Sequence, residues 1–359
     1  MTDLARRFRR LIEAHGPMPV ARFMGESNAL YYTARDPLGA AGDFVTAPDI
    51  SQMFGEMIGL WCADLWHRAG HPPDVAYVEL GPGRATLTID ALRAMNRQGL
   101  SPQVHFVEGS PALREIQRSR VPGVTFHDDL ADLPDDMPML LVANEFLDAL
   151  PIRQLVRIAK GWRERMVGLV DDRLAFVAGD QPMEDAVPDG LGDQPPGTVI
   201  ETSPAAATVM GEVAARLAAQ GGAALFVDYG HLASRTGSTL QAVKNHAKVD
   251  PLDHPGEADL TAHVDFATLA AIARTHGVAV QSGTQGQFLA ALGIETRARA
   301  LAAASPAHAK ETDVALRRLT ALDAMGELFK VLALTGGGWP HGAGLPVHGA
   351  VAQGSERPD

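Results

Sequence analysis

The chain has almost no cysteine and no long apolar run, and each absence excludes a class of structure. Cys62 is the only cysteine in 359 residues, so an internal disulfide and a cysteine-based metal cluster are both excluded. No apolar run approaches the length that a membrane-spanning helix needs, so we expect no membrane span. The 13 histidines are scattered along the chain, and we expect no metal site.

The chain is acidic, with a formal net charge of -12 and an isoelectric point of about 5.5. An acidic protein repels phosphate backbones, so we expect no nucleic-acid partner, whereas a basic protein or a cationic group remains a candidate substrate. The hydrophobic content of 46% and the mean hydropathy of -0.02 are typical of one large globular domain or two smaller ones.

Short apolar segments alternate with helical segments from residue 75 onward. Strands are expected at VAYVEL, QVHFVEG, VTFHDDL, PMLLVAN and AALFVDYGH. Continuous apolar runs of this length, separated by helices, predict a doubly wound, mostly parallel α/β sheet that is covered on both faces. Residues 1–71 are expected to form an N-terminal helical segment, 72–151 and 204–350 the main domain, 152–203 a β insertion, and 232–260 a long surface loop.

The stretch VELGPGRATL, residues 78–87, has the pattern of a strand, a glycine turn and a helix. Gly81 and Gly83 would let the backbone pass close to a ligand, and Glu79 lies just before them. A dinucleotide site needs a third glycine, which Thr86 replaces, and the lysine of a phosphate-binding loop is absent. The turn therefore favours a ligand without a phosphate, although a dinucleotide stays open.

Acidic residues follow the next two strands. Glu108 ends the second strand, where a carboxylate can accept hydrogen bonds from a ribose diol. Asp128 and Asp129 end the third strand and suit a purine amino group. Taken singly, each acid could cap a helix or a turn. Together they favour a nucleoside with a cationic tail, and S-adenosylmethionine meets that description.

The fourth and fifth strands also end in polar residues. Asn144, Glu145 and Asp148 follow the fourth strand, and ligands of doubly wound sheets bind at the carboxyl ends of the strands. Glu145 and Asp148 are suited to orienting a cationic nucleophile and accepting its proton, but Asp148 could equally cap a helix. His231, at the end of the fifth strand, could line an acceptor channel or belong to a turn.

Five motifs together resemble one known family. In chain order they are GDFVTAPDISQMFGE, VELGPGRATL, NEFLDALP, DYGH and PGEADLTAHVDF. This set is similar to the MidA family of S-adenosylmethionine-dependent methyltransferases, over about Pro19 to Leu334. The resemblance implies a seven-stranded Rossmann-like methyltransferase sheet, with a cofactor-covering loop in the N-terminal segment and the β insertion on the substrate side. Ala85 departs from the family pattern, which has glycine there.

The resemblance also implies roles for particular residues. Gly81 and Gly83 would hold the methionine part of the cofactor, and Glu108 its ribose. Asp128 and Asp129 would lie on the adenine side. Gly42 would belong to the covering loop. Close to the acceptor, the family pattern places three residues, namely Glu145, Asp148 and His231.

The family's mitochondrial branch methylates arginine in a subunit of respiratory complex I. The resemblance thus implies a protein substrate, such as a peripheral-arm subunit of complex I. Two rivals remain: an assembly chaperone with a non-catalytic cofactor site, and a nicotinamide oxidoreductase. A homodimer also stays open. The arginine-rich start resembles a transit peptide, but Asp3 and Glu13 interrupt it and serine is lacking. We therefore expect the cytoplasm of a bacterium rather than the mitochondrial matrix.

Overall fold

The computed structural model describes residues 3–34 and 46–346. Its helices, α1 to α12 in order, are Asp3–His15, Val20–Ala34, Ala47–Ile50, Gln52–Arg68, Thr86–Arg97, Pro111–Arg120, Pro204–Gln220, Phe266–Thr275, Gln285–Ala291, Ile294–Ala304, Ala309–Thr320 and Met325–Leu328. Its strands, β1 to β16 in order, are Met18–Pro19, Ala76–Leu80, Gln103–Val107, Thr125–His127, Met139–Asn144, Arg153–Ile158, Gly161–Val170, Arg173–Pro182, Val199–Thr202, Gly222–His231, Gln241–Lys244, Ala247–Val249, Asp259–Thr261, Val264–Asp265, Ala279–Thr284 and Phe329–Gly336.

A central sheet of seven strands runs in the order β15-β16-β10-β5-β2-β3-β4, and the short β14 pairs with the end of β10. The pairs from β10 to β4 are parallel, whereas β16 is antiparallel to both of its neighbours. This arrangement confirms the predicted mostly parallel, seven-stranded sheet. It brings the carboxyl ends of β2, β3, β5 and β10 to one edge, where the predicted site residues follow.

Both faces of the central sheet are buried, which explains why the sequences of its strands are continuous apolar runs. Successive strand residues enter different apolar clusters: Tyr77 packs with α4 and α5, whereas Val78 packs with α7 and α8. In the described ranges, no helix is both long and apolar enough to cross a membrane.

Two smaller sheets lie outside the central one. The segment 153–202 supplies β6 to β9, which pair antiparallel and take β1 as an edge strand beside β7. The stretch 232–260 was expected as one long loop, but it contains β11, β12 and the start of β13, which form a three-stranded sheet. The prediction missed these strands because they are only three or four residues long and lie within a polar stretch.

The glycine turn is followed by α5, and α4 fixes the position of that helix. Gly59 of α4 lies directly against Ala91 of α5: a Cβ added at Gly59 would lie 2.3 Å from the Ala91 carbonyl oxygen. The nearest atoms are backbone, which cannot turn aside as a side chain can. The two helices can therefore approach this closely only because Gly59 has no side chain.

We expect Gly59→Ala to destabilise the protein. Alanine inside a helix normally adds about 0.5–1 kcal/mol of stability over glycine, but here the extra methyl must push α4 and α5 apart, which costs about 1–3 kcal/mol. Urea unfolding measures the difference. Gly192→Ala is the control, because a Cβ at Gly192 meets no atom within 4 Å. A Gly59→Ala protein as stable as the wild type would contradict the close contact.

Candidate active site

The glycine turn leaves β2 with its backbone in the left-handed region at three of five positions. Gly81, Gly83 and Ala85 have φ values of 60°, 53° and 59°. The Gly81 amide donates to the Val107 carbonyl oxygen at 3.0 Å, which ties the turn to β3. A positive φ costs a residue with a Cβ more than it costs glycine, which gives a physical reason for the family's glycine at position 85. The Ala85 methyl is buried against Phe106 and Val121.

Hydrogen bonds from α6 and from its N-cap residue hold the Glu108 carboxylate at the end of β3. Its carboxylate accepts hydrogen bonds from the Ser110 amide at 2.8 Å and the Gln117 side-chain amide at 3.1 Å. The same Gln117 amide donates to the Gly83 carbonyl oxygen at 2.7 Å. Gln117 therefore links the glycine turn to Glu108. The sequence of α6 contains no pattern that indicates this link.

A cleft of about 460 Å³ opens at this edge of the sheet. Gly81, Gly83 and Glu108 line one part of it, and Glu145 and Asp148 line another. A second hollow of about 80 Å³ shares the glycine turn and Glu145 with the cleft and is also lined by Glu79 and Asn144. The structure thus brings together seven of the predicted residues around one continuous space.

Four carboxylates crowd the part of the cleft away from Glu108. They belong to Glu145, Asp148, Asp228 and Asp259; the last three are buried, and Glu145, Asp148 and Asp259 line the cleft. Among the described residues, no lysine or arginine forms an ion pair with Glu145, Asp148 or Asp228. Buried like charges disfavour one another's ionised forms. These four carboxylates, called the acidic wall below, therefore favour a bound cation.

Burial raises the pKa of Glu145 to about 7, and the charges of Asp49 and Asp259 add to that effect. Hydrogen bonds from the Ala47 amide at 3.3 Å and the Asn144 side-chain amide at 3.2 Å, both to Oε1, oppose it. Glu145 also has a φ of 51°. Such backbone conformations are costly for residues other than glycine, and they recur at functional sites as well as in turns.

Asp148 and Asp228 form a closely interacting acidic pair. Burial raises the pKa of Asp148 well above its usual range, and the charges of Asp228 and Asp259 raise it further. Burial, together with the charge of Glu145, also raises the pKa of Asp228, to about 8. Opposing that shift, its carboxylate accepts three backbone N–H groups, from Leu147 at 2.9 Å, Asp148 at 3.1 Å and Tyr229 at 2.8 Å. These donors favour the carboxylate form of Asp228 and fix the turn that carries Asp148.

Three predicted site residues do not line this cleft. Asp128 is 84% exposed at its side chain and pairs with Arg114 at 2.6 Å. Asp129 caps a 3-10 turn by accepting from the Ala131 amide at 3.0 Å. His231 contacts the Ala233 carbonyl oxygen at 2.8 Å and faces Asp265 at 3.8 Å. None of the three lines the cleft or the smaller hollow, and Gly42 lies outside the described residues.

The smaller hollow is lined by a residue with a buried oxygen that lacks a hydrogen-bond partner, which suits a polar ligand. The Asn144 side-chain oxygen is buried and has no hydrogen-bond partner among the described residues. Nearby, the Glu79 carboxylate accepts from the Tyr77 hydroxyl at 3.0 Å and from the Thr88 hydroxyl. Burial raises the pKa of Glu79 to about 7. A buried acceptor without a donor is costly, so an ammonium or amide group placed here would relieve that cost.

Comparison with known proteins decides the family. A family model described as S-adenosyl-L-methionine-dependent methyltransferase matches residues 57–284. The chain belongs to this family. It is therefore a methyltransferase whose cofactor is S-adenosylmethionine, and the residues of the cleft fit that group. Gly81, Gly83 and Glu108 would hold the nucleoside and its tail, with Asn144 and Glu79 beside them.

Solved structures agree with this assignment. A methyltransferase from Burkholderia thailandensis bound to S-adenosylhomocysteine is 27% identical, with a TM-score of 0.82 and 96% of each chain covered. A native crystal structure of a COG1565 superfamily protein from the same organism is 29% identical, with a TM-score of 0.80 and 95% of each chain covered.

Curated relatives extend the comparison to animals. The chain is 35% identical to "Protein arginine methyltransferase NDUFAF7, mitochondrial" of Xenopus tropicalis, over 90% of this chain and 83% of that protein. It is 36% identical to the human protein of the same name, over 84% and 76%. These relatives are named mitochondrial, which contradicts the expected bacterial cytoplasm. The expectation was wrong because it rested on the composition of a short N-terminal stretch.

We expect Glu108→Gln to weaken binding of S-adenosylhomocysteine. An amide offers one acceptor oxygen where the carboxylate offers two, and losing a hydrogen bond to a charged group costs about 1.5–3 kcal/mol, or roughly 10- to 150-fold in Kd. Isothermal titration calorimetry measures the change. Glu115→Gln on the following helix α6, 79% exposed at its side chain, serves as the control. Equal affinities for both variants would remove Glu108 from the ligand site.

We also expect Glu145 to make stability depend on pH. A folded-state pKa near 7 exceeds the unfolded value, so the folded state binds the proton more tightly, and that stabilisation is lost as the pH rises through about 7. The ligand-free Glu145→Gln protein should match the wild type near pH 4.5 and exceed its unfolding free energy at pH 8 by on the order of 2 kcal/mol. Urea unfolding at both pH values tests this, with exposed Glu13→Gln as the control. A difference that does not change with pH would contradict the raised pKa.

Proposed function

We propose that this methyltransferase acts on the guanidinium group of an arginine in a protein, and that the protein is a peripheral-arm subunit of respiratory complex I. The observation that carries the proposal is the carboxylate wall of Glu145 and Asp148, which lines the same cleft as the cofactor residues. The names of the curated relatives support arginine as the acceptor. Complex I rests on the family resemblance. A homodimer has no support among the described contacts and is not part of the proposal.

A guanidinium acceptor matches the charge of this wall. It is planar, cationic and rich in N–H donors, so it pairs with carboxylates better than a neutral amine or hydroxyl does. It also relieves the repulsion among Glu145, Asp148 and Asp228, which no described cation offsets. The wall would therefore select a cationic side chain before any chemistry takes place.

Glu145 is suited to two tasks at the acceptor. The bound cofactor supplies an electrophilic methyl group, and the protein must orient the attacking nitrogen and remove its proton. A pKa near 7 leaves the Glu145 carboxylate about half ionised at neutral pH, so it can accept a proton there. Its hydrogen bonds to Ala47 and Asn144 fix one carboxylate oxygen and so hold the side chain in place.

The division of the chain belongs to the same proposal. Residues 72–151 and 204–350 would form the methyltransferase domain, and residues 1–71 the N-terminal segment with the cofactor-covering loop. Residues 152–203 would lie on the substrate side. The β insertion is suited to contacting a protein, because its sheet stands apart from the central sheet.

Labelling with a deuterated methyl donor tests the proposed reaction. Purified wild-type protein and Glu145→Gln are incubated with CD₃-labelled S-adenosylmethionine and extract from cells that lack the protein, and mass spectrometry maps the label. We expect CD₃-arginine on a complex I subunit with the wild type. We expect at least a 100-fold lower rate with Glu145→Gln, as for loss of a general base, and nearly unchanged S-adenosylhomocysteine affinity.

Glu13→Gln is the control and should label as the wild type does. Label on residues other than arginine would overturn the acceptor, and full activity of Glu145→Gln would remove Glu145 from the reaction. If the wild type gives no label while complex I assembly still needs the protein, the chaperone function is favoured instead.

A further inference from the structure

Helix α2, which precedes the methyltransferase sheet in the chain, reaches the acidic wall of the cleft. The Asn28 side-chain amide donates to the Ala149 carbonyl oxygen at 3.0 Å and to the Leu260 carbonyl oxygen at 2.8 Å. Its side-chain oxygen accepts from the Leu260 amide at 3.1 Å. One buried side chain therefore binds the turn after β5 to strand β13 and sets the distance between them.

Tyr32 lies one helical turn further along α2 and contacts the same strand. Its hydroxyl donates to Asp259 Oδ1 at 2.8 Å, which orients the Asp259 carboxylate. Tyr32, Asp259, Asp148 and Glu145 all line the 460 Å³ cleft. Asp259 is only 5% exposed, so its charge is shielded from bulk water and acts strongly on whatever occupies the cleft.

Asp148 is a second buried acid at this cleft. It is 5% exposed and lines the cleft, and no described side chain donates a hydrogen bond to its carboxylate. The Ala262 amide donates to the Asp148 carbonyl oxygen at 3.0 Å, which joins this residue to the segment after β13. Asp148 and Asp259, which belong to separate chain segments, are thus held near each other at the cleft.

We propose that Asp259, oriented by Tyr32, binds the acceptor guanidinium together with Glu145 and Asp148. The inference rests on the proposed function and adds a substrate-binding residue to it. A guanidinium has five N–H donors in a fixed plane, and a single carboxylate satisfies at most two of them. Asp259 supplies further acceptors for the nitrogens that do not react. Tyr32 and Asn28 are positioning residues that act through Asp259 and its strand.

Two synthetic ligands measure this binding without knowledge of the protein substrate. Both are 5′-thioadenosines; one carries a guanidinopropyl arm, and the other a ureidopropyl arm of nearly the same shape without the charge. Calorimetry gives the ratio of their Kd values for each variant, and S-adenosylhomocysteine reports whether the cofactor site is intact. Substitution of a residue with only a structural role would weaken the binding of all three ligands together.

We expect the wild type to prefer the guanidino arm by roughly 10- to 100-fold, the size of a charge-assisted contact. Asp259→Asn should reduce the preference below about threefold, and Tyr32→Phe should reduce it to an intermediate value, with S-adenosylhomocysteine binding unchanged in both. Asp253→Asn, an exposed acid in the preceding turn, should keep the wild-type preference.

The outcomes separate the two proposals. A wild-type protein without preference for the guanidino arm would overturn arginine as the acceptor, and this inference with it. A preference that survives in both Asp259→Asn and Tyr32→Phe would overturn the role of Asp259 alone. If Asp259→Asn loses S-adenosylhomocysteine binding through misfolding, Tyr32→Phe decides, since it removes only the hydroxyl that orients Asp259.

Discussion

Repulsion among buried carboxylates at one end of the cleft is the constraint on which the rest of this site depends. Removing one carboxylate from water is costly, and several neighbours of the same charge increase that cost. Burial and mutual repulsion accordingly raise the pKa values of Glu145 and Asp148. Buried acids with strongly raised pKa values are concentrated at functional sites, where a bound ligand offsets the repulsion. Two cationic groups, the sulfonium of the cofactor and a guanidinium, meet that requirement together.

The surrounding backbone holds the acids in place against this repulsion. Both carboxylate oxygens of Asp228 accept hydrogen bonds from amides of the turns around it, which hold the carboxyl group in place. Asn28 joins the turn after β5 to β13 from the other side. Because every one of these donors is a main-chain group or a buried side chain, the wall cannot relax by moving its charges apart.

The sequence predicts the cofactor half of the site better than the acceptor half. Glu79 lies at the end of one strand, and the glycines and Glu108 follow that strand and the next, so local pattern and the rule for parallel sheets predict that they lie together, as they do around the cleft and the smaller hollow. Asp259 and Tyr32 are 227 positions apart, and no local pattern indicates that they meet. Asp128 and His231 show the opposite failure: each lies at a strand end, but an ion pair with Arg114 and a contact with Ala233 turn the side chains elsewhere.

This division between the two halves has a physical origin. A parallel sheet fixes the ends of its strands relative to one another, so the cofactor site comes with the fold. The acidic wall also depends on α2, a helix that precedes the sheet, and on β13, a short strand in the connection after β10. Changes in α2 and β13 can therefore alter which acceptor is selected without disturbing β2, β3 or the glycine turn. Only the turn after β5 belongs to both halves, because Glu145 lines the cleft as well as the smaller hollow beside the glycine turn, while Asp148 lines the cleft.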